Sequence, residues 1–192
     1  MTTATEVLGV QEFADTATGA LALDAAVKVA PVSVVSVQVI NPGKLVIILT
    51  GDVASVELSL TAAREVAGAG MVDELFLPSV EPAVIAALSG QDMGDEWDAM
   101  GILETSTVTT GIAVADLAVK RADVRVADIR IDDAMGGRAS VRLIGPIGEV
   151  ESAMDVGRSY AQERGALIHS VVIPNPHDDL RAFLAVQKDG RA

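Results

Sequence analysis

A chain of 192 residues with 14 basic and 27 acidic side chains carries a formal charge of −13. Such a field repels phosphate backbones, and an aromatic content of 3% leaves little on which bases could stack, so nucleic acid is not an expected partner. The absence of cysteine excludes disulfides, thiolate nucleophiles and cysteine-held clusters.

The opening MTTATEVLGVQEF has neither the basic start nor the apolar centre of a secretory signal, and the apolar runs are too short to span a bilayer. The expectation is a cytoplasmic, acidic, soluble protein with no membrane contact. In chain order, EVLGVQE reads as a strand. ATGALALDAAVKVA follows as a helix with Leu21, Ala22, Ala25 and Ala26 at helical spacing. The β-branched VSVVSVQV is a second strand, and KLVIIL a third after the Asn-Pro-Gly turn. Asp52 is a good N-cap for DVASVELSLTAAREVAG, whose Val56, Leu60, Ala63 and Val66 share one face. VDELFLP is a fourth strand and EPAVIAALSG a short helix. The polar SGQDMGDEWD then leads onward.

What comes next is the same domain again. LGVQEFADTATGALALDAAVKVAPV lies over MGILETSTVTTGIAVADLAVKRADV, matching Gly9 with Gly101, Glu12 with Glu104, Thr18-Gly19 with Thr110-Gly111, Asp24 with Asp116 and Lys28 with Lys120. KLVIILTGDVASVE lies over RASVRLIGPIGEVE, and ELFLPSVEP over SVVIPNPHD. Two domains follow, 1–95 and 96–192, each α+β: a mainly antiparallel four-stranded sheet in the order β-α-β-β-α-β, with a short terminal helix and the helices on one face.

The central hairpins give the chain its most distinctive feature. NPGK in the first copy and IDDAMGGRASVRL in the second both end their loops on a glycine followed by a cation, Gly43-Lys44 and Gly137-Arg138. Chemistry is otherwise sparse. His169 adjoins Ser170, but neighbours on a strand point to opposite faces and make a poor nucleophile–base pair. The HDDL beginning at His177 suits a helix start better than a metal site, and no phosphate loop or dinucleotide fingerprint is present. The expectation is a protein that is not an enzyme and holds no metal.

The repeated TGALALDAAVKVAPV and TGIAVADLAVKRADV, the NPGKLVIILTGDVASV hairpin and helix, and the closing SVVIPNPHDDL together resemble bacterial microcompartment shell proteins in their tandem-domain, trimeric form, closest to the propanediol-utilisation type. The resemblance implies a homotrimer shaped as a pseudohexagonal tile, packed edge to edge with other shell proteins around enclosed enzymes. It implies a pore lined by Asn41, Pro42, Gly43, Lys44, Ala134, Met135, Gly136, Gly137 and Arg138, with Lys44 and Arg138 making a positive rim for small polar or anionic metabolites. It places Lys28, Lys120, Asn175 and His177 at the tile edge, although Ser79 and Asn175 stand where the family's closing motif has arginine. Some relatives carry a cysteine at the hairpin tip that holds an iron–sulfur cluster. Asn41 occupies that place here, and no cofactor is expected. The other reading is a trimeric small-molecule-binding regulatory or sensor protein of ferredoxin-like topology, since layers of this kind host both functions.

Overall fold

The computed structural model describes residues 6–90, 98–131 and 136–180. The first half runs β1 (Glu6–Phe13), α1 (Thr16–Val29), β2 (Ser33–Ile40), β3 (Lys44–Gly51), α2 (Val53–Ala67), β4 (Met71–Val80) and α3 (Pro82–Leu88). The second runs β5 (Ala99–Thr105), α4 (Val108–Arg121), β6 (Arg125–Arg130), β7 (Ala139–Gly145), α5 (Ile147–Glu163) and β8 (Leu167–Pro174). Each half holds one antiparallel sheet, ordered β2-β3-β1-β4 and β6-β7-β5-β8. The repeat therefore extends to register. Glu12 lies opposite Asp73 in the first sheet as Glu104 lies opposite His169 in the second, each just before a bulge.

Asp15 and Asp52 cap α1 and α2 by accepting from Thr18 N–H and Ser55 N–H, and Thr107 caps α4 by accepting from Thr110 N–H. The helices cover one face of each sheet. In the first half Phe13, Leu45, Ile47 and Leu49 meet Ala22, Ala26 and Ala63 there. The alternate residues Leu8, Val10, Val46 and Ile48 join a second core, shared with Val108, Ile112 and Ala115 of α4. The unbroken apolar run of β3 follows from this, because both faces of its sheet are covered.

Two positions depart from the sequence reading of the helix faces. Leu21, assigned to the buried stripe of α1, is 55% exposed, and Val66 of α2 is 44% exposed, its place in the core being taken by Ala67. The larger departure is in β2, whose Val34, Val35, Val37 and Val39 are all exposed, on both faces of the strand. Its counterpart β6 buries Val126 and Ile129, because α3 of the first half packs against it. The same strand is thus covered in one half and bare in the other.

Candidate functional site

The β2–β3 hairpin is tight: Ile40 pairs with Lys44, Gly43 N–H donates to Ile40 C=O at 2.9 Å, and Asn41 and Pro42 project into solvent. The Asn41–Pro42 peptide is cis and Gly43 has φ of 126°, a value that favours glycine. The second hairpin arrives beside it. A Cβ on Gly137, which has φ of 77°, would sit 2.2 Å from the Asn41 carbonyl oxygen, so only glycine lets the two tips meet backbone to backbone. Arg138 is exposed next to this contact. Ala134 and Met135 lie outside the described residues.

Lys44 points inward from the tip. Its Nζ turns back between the halves, donating to Gly137 C=O at 3.2 Å and Ser106 C=O at 3.3 Å, and lies 3.5 Å from the Glu12 carboxylate. Lys44 and Arg138, matched in the sequence, thus differ in their surroundings. Lys44 fastens the two hairpins, and Arg138 alone of the two presents its charge outward.

Beneath the tips is a polar joint that the sequence reading did not assign. Glu12, fully buried, accepts from Thr109 N–H at 2.8 Å, across the joint at the N-terminus of α4. Asp73 accepts from the hydroxyls of Thr107, Thr109 and Thr110 and pairs with Arg164 at 2.5 Å. Burial pushes the Glu12 carboxyl up, against the pull of Thr109 N–H and Lys44. Burial acts to raise Asp73 as well, but the hydroxyls of Thr109 and Thr107, the Glu74 N–H and Arg164 together hold it below the ordinary carboxylate value. The available signal was an acid repeated near the end of the first strand of both copies, Glu12 and Glu104.

The direction of the Asp73 shift has a measurable consequence. An acid held low in the folded state stabilises it fully above its unfolded value, near pH 4, and that stability is lost as pH falls through the folded value. Asp73→Asn is expected to lower stability at pH 7 by about 1–2 kcal/mol. It should also flatten the acid limb of a urea-midpoint-against-pH curve below about pH 4. A variant with an unchanged acid limb would remove Asp73 from the joint's energetics.

The outer end of the joint is held by Lys120 and Asp116. Lys120 Nζ donates to Ser79 C=O at 2.5 Å and to Asp116 at 2.6 Å, while Asp116 accepts from Glu81 N–H at the start of α3. Lys28, the counterpart of Lys120, pairs only locally with Asp24 at 2.5 Å, and both side chains are largely exposed. Asn175 (φ 45°) donates its N–H to Asp98 C=O, and the imidazole of His177 is exposed at the end of the second half, its Nδ1 accepting from Asp179 N–H.

Among the described residues no group of three or more His, Cys, Asp or Glu could hold a metal, and no helix is long and apolar enough to cross a membrane. An iron–sulfur cluster of the kind some relatives carry does not fit the tip, where Asn41 offers a hard amide oxygen and the chain supplies no thiolate.

The BMC domain model matches the chain twice, over residues 7–80 and 99–176. The bacterial microcompartment shell protein PduT of Citrobacter freundii is 34% identical over 175 residues, covering 91% of this chain and 95% of its own length. PduA of Salmonella typhimurium, also a microcompartment shell protein, is 33% identical over 87 residues, which is 45% of this chain and 90% of PduA. A crystal structure of a microcompartment protein from Desulfitobacterium hafniense superposes with a TM-score of 0.82 at 38% identity, covering 93% of this chain and 99% of that one.

Proposed function

The chain belongs to the BMC-domain family as a tandem-domain microcompartment shell protein, and from that premise we propose that three copies close into a flat ring of six domains that tiles the shell around enclosed enzymes. One observation carries the proposal: the two halves are unequal in burial where they are equal in sequence. The α4–β6 side of the second half is covered by β4, α3 and the far face of the first sheet. The matching α1–β2 side of the first half leaves Leu21, Val27, Val29, Val34, Val35, Val37 and Val39 exposed. Repeating the internal joint between copies covers that surface with the second half of a neighbour, and repetition about an axis closes a ring.

In such a ring the hairpin tips point at the axis. Asn41, Pro42, Gly43, Gly136, Gly137 and Arg138 then border the opening, with Lys44 behind them as a fastener. Three guanidinium groups roughly 10 Å apart in water repel one another by only about 0.4 kcal/mol per pair, so Arg138 stays charged there and favours small anionic or polar metabolites. Arg138→Glu is expected to reverse the preference between small anions and cations in a permeation measurement on assembled sheets. An unchanged preference would move the selective groups elsewhere.

Light scattering on the purified chain tests the ring: the expected mass is three times 19.8 kDa, and a stable monomer overturns the proposal. Tiling is tested by electron microscopy of concentrated protein. Lys28, exposed at the rim with its long apolar stem, is proposed as an edge residue, together with Lys120, Asn175 and His177. Lys28→Ala is expected to abolish arrays and also to weaken the trimer, because in the ring Lys28 stands in the joint between copies where Lys120 stands in the internal one, facing the Asn175 end of its neighbour. Lys120→Ala should lower the melting temperature of the chain itself, because it removes the bond to Ser79 within each copy.

A further inference from the structure

The joint inside the chain and the joint between copies share a backbone plan but differ in their charges. Inside the chain, the acid Asp73 on β4 meets the hydroxyl of the α4 cap, Thr107, and the guanidinium of Arg164, the residue that caps the C-terminus of α5. The repeat gives the matching positions between copies. His169 of β8 stands where Asp73 stands, opposite Glu104 instead of Glu12. Asp15, the cap of α1, stands where Thr107 stands. Gly68, the C-cap of α2, stands where Arg164 stands. Backbone bonds confirm the alignment, since Ala14 N–H donates to Gly70 C=O as Ser106 N–H donates to Ala166 C=O. The acid has moved from the strand to the helix cap, the arginine is gone, and a histidine has taken the place of the strand acid.

We propose that each joint between copies is closed by an ion pair between the His169 imidazolium of one copy and the Asp15 carboxylate of the next, so that the ring takes up protons as it forms. This rests on the ring described above.

In the ring the groups nearest His169 are carboxylates. Glu104 lies directly opposite His169 on β5, and β8 is the edge strand of its sheet, so no further strand intervenes. Arg158 of α5, which also donates to Asp155, donates to the hydroxyl of Ser170, whose side chain points to the opposite face of the sheet from His169. Two cations stand on the far side of Glu104: Arg138, at the register position of Lys44, and Arg130, in the same cross-strand row through Ser140, where Asp128 lies beside it. From the incoming copy come Asp15, Thr18 and Gly68, with no cation among them. Asp15 already accepts from the N–H and hydroxyl of Thr18, which hold its carboxyl below the ordinary value and keep it charged through the range where an imidazole titrates.

The sign follows from linkage. A base that gains carboxylate partners on assembly binds its proton more tightly in the ring. Its contribution is complete below its free value and is lost as pH rises through the assembled one. The test is sedimentation equilibrium of the full chain between pH 6 and 8, with His177 replaced by Gln so that His169 is the only imidazole among the two histidines. Association is expected to tighten about tenfold per joint from pH 8 to pH 6. His169→Gln and Asp15→Asn should each remove most of this slope, the latter leaving the cap intact because asparagine caps as well as aspartate. His169→Arg should restore tight association that no longer varies with pH. A ring whose pH slope is the same with His169→Gln overturns the pair and leaves the ring standing, the slope then belonging to the general fall in negative charge. A chain that is monomeric at every pH overturns the ring and the pair together.

Discussion

Replacing Val34 and Val37 of β2 with lysine is expected to leave a folded monomer and to abolish the proposed ring. These side chains are exposed in the single chain, by 44% and 42%, so the substitution removes little from its own core. In a ring they would lie under a neighbouring second half, as Val126 and Ile129 of β6 lie under the first. Burying each valine is worth about 1.5 kcal/mol or more, and burying an unpaired ammonium in its place costs several. Association should weaken by at least about a thousandfold per joint while the monomer's unfolding free energy in urea melts moves by less than about 1 kcal/mol. Mass and unfolding measured on the same variant decide the matter. A trimer that survives both lysines would mean that β2 faces solvent in the assembly and that the copies join elsewhere.

Gly111→Ala is expected to destabilise the second half by about 3 kcal/mol, opposite in sign to what helix propensity alone dictates. Alanine at an ordinary interior helix position gains about 1 kcal/mol over glycine. At Gly111 the added Cβ would lie 2.6 Å from the Cβ of Ala139 on β7. That atom is fixed to the strand backbone and has no rotamer by which to withdraw, so the helix must shift and loosen the layer around it. Gly19 repeats the arrangement in the first half, where a Cβ would meet the Cβ of Leu45 at 2.8 Å. Moving the methyl across the contact, Gly111→Ala with Ala139→Gly, should recover at least half of the loss in urea melts. No recovery would show that the cost does not come from this contact.

Much of this protein was legible because its signals are local or repeated. Asp52 and the turn residues mark element ends through short-range backbone chemistry, and the run from Gly9 to Lys28 reappears from Gly101 to Lys120. From these alone came two domains, the strand and helix order of each, and a glycine-bearing tip on each central hairpin. What the sequence could not distinguish was the fate of matched residues. Leu21 and Ala113 occupy the same turn of the same helix, and Asp24 and Asp116 the same face, yet in each pair the first is exposed and the second buried. Helical periodicity reports which residues share a face, but only the packing of one half on the other decides whether that face is covered. The direction of Lys44 has the same origin. Its partners Glu12, Ser106 and Gly137 are far apart in the chain and meet only when the halves dock, so the tip was written in the sequence while the fastening beneath it was decided by the tertiary structure.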